Sequence, residues 1–250
     1  AFRERRPAVS VGITNIVSNL APLSDSSDDA RATAAMDIRM NRIFLEPLYR
    51  GGYGDDVVEV FGAHGLTGDE TESGLVRPGD PALIAVPTDF AGINHYTNTL
   101  IQHDPSAPFN EVRMVQVEPA PTTFGWSDTP HALRDVLLRV RNEFTELPIY
   151  VTENGAAFFD YPTPDGEVRD PERVHYLDGY TRAVADAVAA GADVRGYFAW
   201  SFLDNFEWSH GFSKRFGLVY VDYPTQRRIP KQSAYWYRDF IAQHTTGRTA

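Results

Sequence analysis

A short apolar run, Ile149-Tyr150-Val151, gives way to Thr152-Glu153-Asn154-Gly155. The run reads as a buried strand, and Asn-Gly is a strong turn signal. The strand is therefore expected to stop there, with Glu153 at its C-terminal rim. A carboxylate held at the tip of a buried strand is placed for chemistry, because in barrels of alternating strands and helices that rim carries the active site. The same residues also read as a solvated Glu closing an ordinary strand. A second segment, Trp200-Ser201-Phe202-Leu203-Asp204-Asn205-Phe206-Glu207-Trp208, weighs against that reading, since its density of aromatic and acidic side chains is hard to account for as packing.

Such side chains need a rigid frame, and the chain offers one in strand–helix units. Segments 8–14, 89–96, 148–153 and 194–200 read as strands, while 111–117 alternates like a surface excursion and 216–223 resembles a hairpin arm. A helical run through Ala30, Ala34, Met36, Ile38, Met40, Ile43 and Phe44 follows cap candidates at 25–28 and is expected to end before Pro47. Gly51-Gly52-Tyr53-Gly54 then breaks the chain, and 56–87 reads as a short amphipathic piece and a long connection. A helix opened by Pro130 carries Leu133, Val136, Leu137 and Val140 on one face. The next, 172–190, carries Leu177, Tyr180, Val184, Ala187 and Val188, and the last spans 233–242. Four such units with right-handed crossovers predict an α/β fold with a parallel sheet. No Gly-rich phosphate fingerprint follows any strand, so a nucleotide-binding reading is weak.

Bulk composition narrows the partner. The 250 residues are 42% hydrophobic, enough for a sizeable core, and 23 basic against 34 acidic residues give a formal charge of -11. That charge argues against nucleic acid and anionic membranes, and favours a neutral small molecule. There is no cysteine, hence no disulfide frame and no thiolate chemistry. No stretch approaches the roughly 20 apolar residues of a membrane helix. The N-terminus lacks the apolar core of a signal peptide, and a cytoplasmic location is expected.

Three blocks carry a family resemblance: Ile149-Tyr150-Val151-Thr152-Glu153-Asn154-Gly155, then 200–208, then Gly211-Phe212-Ser213-Lys214-Arg215-Phe216-Gly217-Leu218. In this order the chain resembles the C-terminal half of family 1 glycoside hydrolases, the β-glucosidase family, over residues 1–250. The resemblance implies half of a (β/α)8 TIM barrel, strands five to eight with their helices. It implies Glu153 as the nucleophile of a retaining β-glycosidase. Asn94 is then a sugar-side ligand, and Tyr96 a phenol that hydrogen-bonds the nucleophile and favours its ionised form. Glu207 would accept hydrogen bonds from hydroxyls at the non-reducing end and repel a phosphate there, which favours an unphosphorylated β-glucoside. Trp200 and Trp208 line that subsite, Phe216 is a further wall, and Trp126 is a platform on the leaving-group side. A packing role for Trp126 is the lesser reading.

The chain departs from the family pattern at His95, where a second tyrosine is usual. Strand alternation turns His95 away from Asn94 and Tyr96, so it reads as a packing or interface histidine rather than a base. Lys214 and Arg215 read as solvated or ion-paired. Glu46-Pro47 superficially matches the family's acid/base motif but lies in the wrong place. The acid/base glutamate is expected at the end of strand four, outside this chain, whose start resembles the tail of helix four. Open edges on segments 8–14 and 194–200 would follow, and with them a need for a complementary N-terminal half-barrel, or less readily self-association. No metal or organic cofactor is implied. A non-catalytic half-barrel that binds sugar or a protein partner is the alternative.

Overall fold

The structure, a computed structural model, describes residues 9–62, 77, 79–107, 111–115 and 121–245. Four parallel strands form its frame: β1 (Gly12–Ile16), β3 (Phe90–Asn94), β6 (Ile149–Asn154) and β7 (Val194–Ala199), adjacent in that order. β1 lies later than the expected 8–14, and residue 8 falls outside the described residues. One face of the sheet is apolar by alternation. Ala91 and Ile93 of β3 stand beside Ile149 and Val151 of β6 and pack on Leu133, Val136 and Leu137 of α5 (Pro130–Arg139) and on Tyr176, Leu177 and Tyr180 of α6 (Pro171–Ala189). Each such large apolar side chain, fully buried, contributes about 1.5–3 kcal/mol. Both helices begin with Pro at the first position, where a missing N–H costs nothing. Val188, expected in the buried stripe of α6, is exposed.

The helix expected to end before Pro47 runs on. Capped by Ser26, whose hydroxyl accepts from the Asp29 amide at 3.1 Å, α1 (Ser27–Asp37) passes through a widened turn, Ile38–Arg42, into α2 (Ile43–Tyr49). A proline inside a helix costs roughly 3 kcal/mol. The burial of Leu45 and the ion pairs of Glu46 with Arg42 (2.7 Å) and Arg50 (3.3 Å) offset that cost. Two short helices follow, α3 (Asp55–Gly62) and α4 (Asp80–Ile84).

A second sheet lies outside the frame. β2 (Asn19–Pro22) pairs in parallel with β4 (Asn98–His103), which pairs antiparallel with β5 (Val112–Val115). Only β5 was expected, and residues 116–117 of that segment lie outside the described residues. The hairpin β8 (Val219–Asp222) and β9 (Arg227–Pro230) leads into α7 (Gln232–Thr245). Among the described residues, the outer edges of β1 and β7 are unpaired, and Phe198 of β7 is 56% exposed on the face away from the helices. No helix among the described residues is long and apolar enough to cross a membrane.

Candidate active site

β3 and β6 end side by side at one rim. A register shift at Ile93/Asn94 sets Asn94 opposite Glu153, and the His95 amide donates to the Glu153 carbonyl at 3.0 Å. Just beyond the shift, the Tyr96 hydroxyl donates to Glu153 Oε2. Burial first, then the negative charges of Glu153 and Glu207, hold the Tyr96 phenol well above its ordinary value, so it remains a proton donor across the physiological range. Asn94 is buried, and its Oδ1 accepts from Thr152 Oγ1 at 2.7 Å, which fixes the amide.

The Asn-Gly pair does not make the expected turn. β6 runs through Asn154, and Gly155 keeps a φ outside the left-handed region. What requires glycine is proximity, since a Cβ on Gly155 would stand 1.9 Å from the Trp200 carbonyl oxygen. That close approach lets the Trp200 amide donate to the Asn154 carbonyl at 2.9 Å, joining the two strand ends that carry Glu153 and Trp200.

After β7 the peptide between Trp200 and Ser201 is cis, and Ser201 exchanges backbone bonds with Phe216 (3.1 Å) and Leu218 (2.8 Å). Phe216 is thereby buried against Tyr96, Phe124 and Trp126, with ring centroids 6.4, 5.7 and 5.9 Å away. Trp126 also meets Tyr96 at 5.0 Å and Phe124 at 4.1 Å. Phe124 and His210, 4.7 Å apart, belong to this wall although their sequence positions gave no sign beyond the Phe-Gly-Trp cluster. Glu207 is half-buried. Burial raises its pKa, and the charge of Glu153 adds to the rise against the opposing pull of His210. Trp200 is half-buried, whereas Trp208 is 83% exposed and packs on no other ring among the described residues.

Residues set aside from the site take structural roles. His95 is buried with Nδ1 at 2.8 Å from the Val17 carbonyl, so that nitrogen carries the proton; burial lowers its pKa to about 4. Glu46 is buried, held by Arg42, Arg50 and the Gly54 amide. Arg215 pairs with Asp204 at 2.6 Å, as expected. Lys214 is half-buried and makes no ion pair among the described residues; its ammonium donates to the Thr123 carbonyl beside the Phe124 ring and so ties two rim loops together. Among the described residues no group of three or more acidic or His side chains is arranged to hold a metal ion.

A parallel βα sheet with a paired phenol and carboxylate on its C-terminal rim is the layout of the α/β-barrel enzymes. The family model for glycosyl hydrolase family 1 matches residues 1–246. The chain belongs to that family. Beta-glucosidase A of Thermotoga maritima is 39% identical over 96% of this chain and 52% of its own length. The crystal structure of the family 1 beta-glucosidase from Exiguobacterium antarcticum B7 superposes with a TM-score of 0.89 at 37% identity, covering 98% of this chain and 54% of that one. The Thermotoga maritima beta-glucosidase in complex with deoxynojirimycin gives a TM-score of 0.87 at 38% identity, covering 96% and 52%. The chain thus spans about half the length of these relatives, and its fold is half of a (β/α)8 barrel.

Proposed function

We propose that this chain carries the nucleophile side of a retaining β-glucosidase site, with Glu153 as the nucleophile. The observation that carries the reading is the hydrogen bond from the Tyr96 phenol to the Glu153 carboxylate, across adjacent strands at the rim that also holds Trp200 and Glu207. A donor that cannot readily ionise favours the charged carboxylate, the form that attacks. A Glu153 oxygen bonds to the anomeric carbon as the bond to the leaving oxygen breaks, and water later cleaves the glycosyl-enzyme. A second carboxylic acid, about 5 Å away, must protonate the leaving group and then activate that water. We place this acid on a complementary N-terminal half-barrel.

The remaining residues bind. Asn94 and Glu207 hydrogen-bond sugar hydroxyls, Trp200 and Trp208 face the same sugar, and Phe216 closes the wall behind it. Trp126 meets the leaving-group side. Glu207, a carboxylate already in an unfavourable field, would be opposed by a phosphate on the sugar, so the substrate is an unphosphorylated β-glucoside or related small saccharide. The related Thermotoga maritima enzyme in complex with deoxynojirimycin supports a ligand of that size and kind. The test is covalent labelling by a slow 2-fluoroglucoside of the chain combined with a complementary N-terminal half. Labelling on Glu153, absent in Glu153→Gln, is expected; labelling that persists in the variant discards the assignment.

A further inference from the structure

Behind the phenol–carboxylate pair lies a closed network of hydroxyls and one amide, on the helix side of the sheet. Tyr176 and Tyr180, one turn apart on α6 and stacked at 4.1 Å, both donate to the Tyr96 carbonyl at 3.0 Å. The Tyr180 hydroxyl accepts from the Thr129 amide at 3.2 Å. The Tyr176 hydroxyl accepts from Asn154 Nδ2 at 3.1 Å, and the same nitrogen donates to the His95 carbonyl at 2.7 Å. Asn154 Oδ1 accepts from the Tyr197 hydroxyl at 2.6 Å. Carbonyls that can only accept and an amide that can only donate sit at its ends, so the direction of each bond is set. Asn154, Tyr176 and Tyr180 are buried, where an unmade hydrogen bond is costly and a made one rigid.

The two backbone stretches that this network grips are the ones bearing the chemistry. Tyr96 carries the phenol, and Asn154 follows Glu153 directly. The register shift leaves β3 and β6 without a regular ladder at this point, so strand pairing alone does not fix the distance from phenol to carboxylate. We propose that Tyr176, Tyr180 and Asn154 are positioning residues that hold the Tyr96 hydroxyl on Glu153 by clamping the ends of β3 and β6 together through α6. This rests on the catalytic reading only for its significance; the clamp itself is a statement about geometry. Phenylalanine at 176 or 180 keeps the ring and the stack and deletes one bond to the Tyr96 carbonyl, with the other hydroxyl left to satisfy it.

Recording the 13C resonance of the Glu153 carboxyl in the intact chain at one fixed pH, with the signal assigned by Glu153→Gln, tests the clamp without turnover. In Tyr176→Phe/Tyr180→Phe the Tyr96 bond to the carboxylate slackens, and the resonance should move most of the way to its position in Tyr96→Phe. Each single variant should show part of that movement, which keeps the test open if the double variant does not fold. In a Tyr96→Phe background, where no phenol remains to be placed, the same substitutions should leave the resonance unmoved. A purely structural role for the tyrosines would lower stability alike in both backgrounds without moving the Glu153 resonance. An unmoved resonance in the folded single variants overturns the clamp; failed fluoroglucoside labelling, by contrast, would count against the nucleophile assignment alone.

Discussion

His95 shows how one residue can stand inside a site's sequence motif and outside its chemistry. It lies between Asn94 and Tyr96, yet alternation turns it into the helix side of the sheet, where it is 1% exposed and bonded to the Val17 carbonyl. Burial holds its folded pKa near 4, against about 6.5 in an unfolded chain. Between those values the unfolded state binds a proton that the native state refuses, so stability falls as pH drops from about 6.5 to 4. The span corresponds to roughly 3 kcal/mol. Urea midpoints measured across that window should fall steeply for the native chain and less so for His95→Phe. Equal slopes for the two would mean that His95 protonates in place. The packing role of His95 was legible from strand alternation alone. Its Nε2, buried without a hydrogen-bond partner among the described residues, was not, because that depends on side chains distant in sequence.

Among the elements, strand–helix alternation was readable wherever a segment is buried against helices, as in β3, β6 and β7. β2 and β4 were not readable: Asn19-Leu20-Ala21-Pro22 and Asn98-Thr99-Leu100-Ile101-Gln102-His103 have no clean apolar period, and they are strands through their pairing, β2 on β4 and β4 on both β2 and β5. The Glu153 rim was found through a turn signal that the fold does not use, since Gly155 answers to the Trp200 carbonyl. Least legible was the tie among loops. Asp160, Asp170 and Asp204 meet Arg173, Arg215 and Lys231 in a balanced buried set that joins the loop after β6, the first turn of α6, the loop after β7 and the start of α7. Lys231 bridges Asp160 at 2.6 Å and Asp204 at 2.8 Å with its side chain fully buried. Replacing it by Met keeps the volume and leaves surplus negative charge in the interior, a change that typically costs about 3–5 kcal/mol. Chemical denaturation of Lys231→Met should show a loss of that order. A loss under about 1 kcal/mol would indicate that Arg173 and Arg215 suffice for the three carboxylates.

At the largest scale, the four-stranded sheet is open on both sides among the described residues. The four-stranded sheet has outer edges on β1 and β7, and Ile13, Ile16 and Phe198 of those strands are exposed. Unpaired parallel edges with apolar side chains recruit further strands, and a half-barrel offers two of them. The chain spans about half the length of its relatives, and the complementary N-terminal half-barrel proposed above would supply strands for both edges. Hydrogen exchange reads this directly. Edge-facing amides of β1 and β7 should exchange quickly in the chain alone and become protected when the unmatched half of Thermotoga maritima beta-glucosidase A is added, with native mass spectrometry showing 27.9 kDa joined by the second chain. Protection already present in the lone chain at twice its mass would instead identify a second copy as the occupant. A monomer whose edge amides stay fast in the presence of the added half would remove the case for complementation, and with it the proposed source of an acid for Glu153.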